Sequence, residues 1–151
     1  MAIKVGDTLP NTTFRVMTGE GPKPKPSEEV FKGRKVVLFA VPGAFTPTCS
    51  KNHLPGFVKN AAAIKAKGID AIAVTAVNDP FVMGAWKDAA GSDDIEFLAD
   101  GSADFAKAIG LELDASAGGL GIRSKRYCMV VDDGVVKSLA IEDAPGKADV
   151  S

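Results

Sequence analysis

Apolar positions along the chain fall into two kinds of run. Lys35-Val36-Val37-Leu38-Phe39-Ala40-Val41 and Ile69-Asp70-Ala71-Ile72-Ala73-Val74-Thr75-Ala76-Val77 are nearly continuous and rich in β-branched residues. That is the pattern of strands buried on both faces of a sheet. Ile95-Glu96-Phe97-Leu98-Ala99 is a shorter strand. Between the first two runs, Leu54, Phe57, Val58, Ala61 and Ile64 recur at helical spacing. They predict a helix from Thr46 to about Lys67, with Gly68 at its C-terminal cap. Pro55 should bend this helix, because its ring crowds an earlier carbonyl. Asn78-Asp79-Pro80 opens a second helix, with Asp79 as cap, Pro80 first inside, and Val82, Ala85, Trp86 and Ala89 as the inward stripe. Ser102 is the expected cap of a third helix, which runs through Ile109 and ends at Gly110. Residues 127–131 and 135–141 are strands joined at Asp132-Asp133-Gly134, a hairpin signal.

The N-terminal quarter is less regular. Residues 12–17 suit an edge strand. Pro22-Lys23-Pro24-Lys25-Pro26 predicts an extended, solvated loop, since proline at alternate positions defeats both helix and ladder. Ser27 then caps a short helix ended by Gly33. The order βαβα, a short β and α, and a β-hairpin implies a parallel pair with antiparallel strands added. This is an α/β plan of thioredoxin-like type: a central mixed β-sheet flanked by helices, with N-terminal additions. Residues 1–151 read as one domain, and 142–151 as a C-terminal tail.

Composition narrows the function. A hydrophobic fraction of 46% with 25% charged residues is that of an ordinary folded domain. A formal net charge of −1 gives no reason to expect nucleic acid or an anionic membrane as partner. No apolar run approaches the roughly 20 residues that cross a bilayer, and the first residues lack a signal-peptide core. The expected location is cytoplasmic. Cys49 and Cys128 are too few for a disulfide framework, and His53, the single histidine, does not complete a zinc site with them. No metal or bound cofactor is expected.

The candidate chemistry gathers at Val41-Pro42-Gly43-Ala44-Phe45-Thr46-Pro47-Thr48-Cys49. Pro42, Gly43 and Pro47 force a tight, irregular passage from strand to helix. With Thr46 as N-cap and Pro47 first inside, Thr48 and Cys49 fall at the second and third helical positions. Backbone N–H groups there lack helical partners and the helix dipole is positive, which pushes a thiol toward thiolate. Thioredoxin-like oxidoreductases carry C-x-x-C at this place, and here the four residues are Thr46-Pro47-Thr48-Cys49. One sulfur remains, so dithiol exchange within the motif is impossible. His53, one turn beyond Cys49, also permits a Cys-His nucleophile pair. A pocket-lining role suits it better, because the helix start already activates the thiol.

Pro42-Gly43-Ala44-Phe45-Thr46-Pro47-Thr48-Cys49 resembles the peroxiredoxin signature P-x-x-x-T-x-x-C, in its type II (peroxiredoxin-5 class) form, bacterial or plant-like. The likeness continues through His53-Leu54-Pro55-Gly56-Phe57, Val77-Asn78-Asp79-Pro80-Phe81-Val82, Leu98-Ala99-Asp100-Gly101, Lys125-Arg126-Tyr127 and Val130-Val131-Asp132-Asp133-Gly134. It spans Val5 to about Ile141. The resemblance implies a peroxidase that reduces hydrogen peroxide and alkyl hydroperoxides without metal or flavin. It makes Cys49 the peroxidatic cysteine and Thr46, Pro42 and Arg126 the other active-site residues. Gly43, Phe45, Thr48 and His53 are expected around the substrate. A homodimer is also implied, with Phe45 and Phe81 at the pocket rim or a twofold contact.

Three features depart from the family pattern or compete with it. The usual positions of a second, resolving cysteine fall at Val74 and near Val150 or Ser151, and Cys128 matches neither. A one-cysteine cycle is therefore expected, with the sulfenic acid reduced by an external thiol, either glutathione with glutaredoxin or thioredoxin. The chain also stops where relatives usually continue into a final helix, so it either ends without one or is trimmed. Finally, Arg126 belongs to Arg123-Ser124-Lys125-Arg126, which without the resemblance reads as a solvated basic run. The rival functions are a Cys-His thiol hydrolase or transferase, and a redox-sensing binding protein on the same fold.

Overall fold

The computed structural model describes residues 2–46, 54–91 and 93–142. Its central strands are β3 (Lys35–Ala40), β4 (Ala71–Ala76) and β5 (Ile95–Ala99), which pair in parallel. The hairpin strands β8 (Tyr127–Asp132) and β9 (Val135–Ile141) extend the sheet beyond β3 in antiparallel fashion. Asp133 and Gly134 at the hairpin tip have φ of 49° and 81°, the left-handed pair that a two-residue turn needs. On the other side, β1 (Thr13–Thr18) pairs with β5 and with β2 (Gly21–Pro26), giving the order β2-β1-β5-β4-β3-β8-β9.

Two N-terminal expectations change. β1 is not the edge, and the proline-rich stretch expected to be a loop is the edge strand β2. The reason is positional. Pro22, Pro24 and Pro26 oppose Met17, Arg15 and Thr13, so their missing N–H groups all fall on the side away from β1. Lys23 and Lys25 keep the N–H groups that face the ladder. A proline-lysine strand of this kind closes the sheet against further pairing.

Alternation along β3 and β4 then builds two cores. Val36, Leu38 and Ala40 join Ala71, Ala73, Phe14, Phe31 and Phe105 on one face. That face carries α1 (Ser27–Phe31) and α4 (Asp104–Ala108). Phe39 and Val41 join Ile72, Val74, Ala76 and Phe97 on the other, under α2 (Leu54–Lys65) and α3 (Pro80–Ala90). Phe57 of α2 stacks on Phe39 with ring centroids 4.0 Å apart, and Trp86 of α3 meets Phe97 edge-on at 5.5 Å. Each such aromatic pair adds about 1 kcal/mol to its area burial. The bend expected at Pro55 concerns residues before α2, which lie outside the described residues.

The helix ends show how capping was redistributed. Asp79 caps α3 as expected, accepting from Val82 N at 2.8 Å, and Gly91 ends it in the left-handed conformation. The inward stripe differs: Met83 and Trp86 are buried, whereas Ala85 and Ala89 are exposed. Ser27 does not cap α1. Its hydroxyl accepts from Thr12 N and donates to Pro10 O, tying the N-terminal segment down. Nor does Ser102 cap α4, which spans only residues 104–108. Buried Asp100 does so from a distance, accepting from Phe105 N and Ala106 N at 3.0 Å each. Burial raises the Asp100 carboxyl above its ordinary pKa, against the pull of those two N–H groups. The sequence pattern also missed a two-stranded excursion, β6 (Glu112–Asp114) and β7 (Ile122–Ser124), joined through a 3₁₀ turn at Ser116–Gly118.

Asp79→Ala should lower stability by about 1 kcal/mol, the usual worth of such a cap. Urea titration would show a lower midpoint at unchanged slope, and an unchanged midpoint would contradict the assignment.

Candidate active site

The site lies where β3 leaves the sheet. β3 is buried along its length from Val36, and Val41 N still bonds Thr75 O at 3.2 Å, so the chain stays anchored until the prolyl residue. Pro42 and Gly43 are buried, and Phe45 has φ of 64°. A non-glycine residue in that region carries about 1 kcal/mol or more of strain, so the turn must be held by its partners.

Those partners come from separate parts of the chain. Ala44 N donates to Asn78 Oδ1 at 3.0 Å, which binds the turn to the segment between β4 and α3. Thr46 Oγ1 donates to Gly43 O at 2.7 Å, and Thr46 N lies 3.4 Å from the same carbonyl. The expected cap residue therefore spends its hydroxyl proton within the turn. Its oxygen lone pairs are left as acceptors. Arg123 Nη1 donates to Pro42 O at 3.4 Å. The sequence pattern does not mark Asn78 or Arg123 as a site residue. No local signal marks them, because their partners lie 34 and 81 residues away.

Arg126 arrives by register. β8 pairs Tyr127 with Ala40, so the next residue back, Arg126, stands beside Val41 and the start of the turn. Only 2% of Arg126 is exposed, which rules out the solvated basic run. Its main-chain carbonyl accepts from Glu142 N at 3.0 Å. Its guanidinium brings positive charge to this end of the sheet.

Cys128 lies on the same sheet face as Arg126, opposite Phe39 in the ladder and packed against the core beneath α2. Burial pushes its thiol up to about 11, the reverse of what a nucleophilic cysteine needs. Val74, at the first of the positions usual for a resolving cysteine, is fully buried in β4. Phe45 is 51% exposed and forms one wall of an apolar cavity of about 280 Å³ with Leu54, Pro55, Val58, Trp86 and Ala90. Phe81 is 65% exposed at the start of α3. The structure thus brings Pro42, Gly43, Phe45, Thr46 and Arg126 to one end of the sheet. Thr48, Cys49 and His53 lie outside the described residues. Among the described residues no group of three His, Cys, Asp or Glu side chains could hold a metal ion.

Residues 4–151 match the family model described as Redoxin. The chain is 51% identical over 148 residues to peroxiredoxin-2E-2, chloroplastic, of Oryza sativa subsp. japonica, covering 93% of this chain and 65% of that relative. It therefore spans about two thirds of that curated relative's length. Among solved structures, reduced Prx3 from Vibrio vulnificus in complex with H2O2 superposes with a TM-score of 0.93 at 54% identity, over 99% of this chain and 93% of that one. Peroxiredoxin 5 from Alvinella pompejana gives a TM-score of 0.86 at 40% identity, over 93% of this chain and 90% of that one. The fold is accordingly that of the thioredoxin-like peroxiredoxins, and the chain belongs to the redoxin family as a peroxiredoxin of the type II, peroxiredoxin-5-like class.

Proposed function

We propose that this protein is a thiol-dependent peroxidase, with Cys49 as the peroxidatic cysteine and hydrogen peroxide and alkyl hydroperoxides as substrates. The observation that carries this reading is the pinned turn Pro42–Thr46 beside buried Arg126. Peroxide reduction needs a thiolate, an aligned O–O bond and stabilisation of the negative charge that develops on the leaving oxygen. Arg126 supplies positive charge for both thiolate and leaving oxygen. The Thr46 hydroxyl has its proton committed to Gly43 O, so it accepts the hydroperoxide O–H and orients the bond. Pro42 shields the reacting atoms from water, and Gly43, Phe45, Thr48 and His53 border the substrate.

The Cys49 thiolate attacks the terminal oxygen of the hydroperoxide. An S–O bond forms, the O–O bond breaks, and the departing alkoxide or hydroxide takes a proton to leave as alcohol or water. The sulfur becomes a sulfenic acid. One external thiol condenses with it, releasing water and leaving a mixed disulfide. A second thiol then restores Cys49 and departs as the oxidised disulfide. No bound cofactor is required. Glutathione with glutaredoxin is the leading reductant and thioredoxin the second.

Cys128 stands outside this cycle. Its place in β8, opposite Phe39 and under α2, fixes its backbone. A disulfide would require its partner's Cα within about 7 Å. Exposed Phe45 and Phe81 further support a homodimer whose contact runs beside the site.

Cys49→Ser should abolish peroxide consumption with every thiol donor, and Thr46→Val should lower kcat/KM by about a hundredfold while Thr46→Ser retains most of it. Full activity in Cys49→Ser would defeat the reading, and comparing glutathione–glutaredoxin with thioredoxin in the wild-type assay identifies the reductant. Cys128→Ser should turn over normally. In Cys49→Ser protein, alkylation of Cys128 should be slow at pH 8, where about 0.1% is thiolate for a thiol at about 11, and should climb steadily toward pH 11. A plateau near pH 8.5 would contradict its burial. Phe81→Arg should convert a dimer to monomer in sedimentation velocity, and a wild-type monomer at all concentrations would remove the dimer.

A further inference from the structure

Arg123 carries an inference that deepens the peroxidase reading and rests on it. It sits at the centre of β7, paired with Leu113 of β6, and is half-buried. Its guanidinium makes two main-chain contacts. Nε donates to Leu120 O at 2.9 Å, in the bend that leads into β7, and Nη1 donates to Pro42 O at 3.4 Å, in the reactive turn. One planar group thus joins the excursion at residues 115–122 to the turn at residues 42–46. A lysine ammonium, a single point of charge on a flexible stem, does not reproduce this fork.

Position 43 is shaped to admit the contact. A Cβ on Gly43 would lie 3.1 Å from Arg123 Nη1 and 3.1 Å from Thr46 Cγ2. Either neighbour would have to move. The glycine therefore serves close packing, admitting both the guanidinium and the Thr46 methyl, since its φ is not in the left-handed region. Around the same turn, Gly43 O is taken by Thr46 and Ala44 N by Asn78. Arg123 supplies the corresponding partner for Pro42 O and restrains the turn from the side of β7.

We propose that Arg123 is a positioning residue for peroxide reduction. It acts through the carbonyl of Pro42 to keep the turn, and with it the Thr46 hydroxyl, at the place where a hydroperoxide must align. Misplacement of such a group by about 1 Å costs on the order of a hundredfold in rate. Because this role concerns alignment, it predicts a split between two reactions of the same sulfur. Hydroperoxide must be oriented by the turn, whereas iodoacetamide meets the Cys49 thiolate without it.

The test compares wild type, Arg123→Ala, Arg123→Lys and Gly43→Ala in single-turnover oxidation by hydrogen peroxide and cumene hydroperoxide, and in Cys49 alkylation by iodoacetamide across pH. Arg123→Ala should lose about tenfold to a hundredfold in peroxide rate with an unshifted alkylation profile. Added guanidinium ion should restore part of the loss, and Arg123→Lys should fall between wild type and Arg123→Ala. Gly43→Ala, whose Cβ crowds both Nη1 and Thr46 Cγ2, should show the same split with the arginine present. Arg123→Lys, which keeps the charge and loses the planar fork, keeps the test open if Arg123→Ala does not fold, as judged by circular dichroism. A wild-type peroxide rate in Arg123→Ala would overturn the proposal. So would equal losses toward peroxide and iodoacetamide, which would make Arg123 a charge acting on the thiolate. Absence of peroxide turnover in the wild type would overturn the peroxidase reading itself, a result separable from either of these.

Discussion

A single short turn, three of whose polar backbone groups are held by three different side chains, governs what this fold can do. Pro42 O, Gly43 O and Ala44 N are bound by Arg123, Thr46 and Asn78. The turn could not keep Phe45 at a positive φ without such partners. The partners in turn depend on the sheet. Because β3 lies between β4 and β8, the segment after β4 and the residues before β8 both reach the same end of the sheet as the turn. Asn78 and Arg126 are delivered there by strand order, and Arg123 by the small excursion that precedes β8.

The two cores explain why this delivery is reliable. β3 and β4 bury apolar side chains on both faces, so a slip of one residue would exchange one hydrophobic set for the other without exposing it. Pattern alone does not pin their register. Shape does: Phe39 stacks under Phe57, and Trp86 meets Phe97. At the far edge, β2 ends the sheet with prolines whose missing donors face outward. The structure thus spends its specificity at the centre and closes its edge with backbone chemistry.

Much of this was legible in the sequence where the signal is local. The apolar runs marked β3, β4 and β5, Asp132-Asp133-Gly134 marked the hairpin, and Asp79-Pro80 marked the start of α3. Each depends on residues only a few positions apart. Pro42, Thr46 and Arg126 as a set rest on a family resemblance, and the structure brings those three to one end of the sheet. What could not be read depends on distant partners. Asp100 caps α4 in place of Ser102, Ser27 binds residues 10 and 12 in place of its own helix, and Arg123 and Asn78 bind a turn far behind them. The prolines of β2 misled for a related reason. Their effect depends on which side of the strand faces a neighbour, and only the sheet order decides that.

The division of labour between the two sulfurs is the claim on which the functional account turns. Treating the reduced protein with one equivalent of hydrogen peroxide in the presence of dimedone, followed by peptide mass spectrometry, reads it directly. The account predicts a dimedone adduct on the Cys49 peptide with Cys128 left as free thiol. An adduct confined to Cys128, or a disulfide joining Cys49 to Cys128, would contradict it.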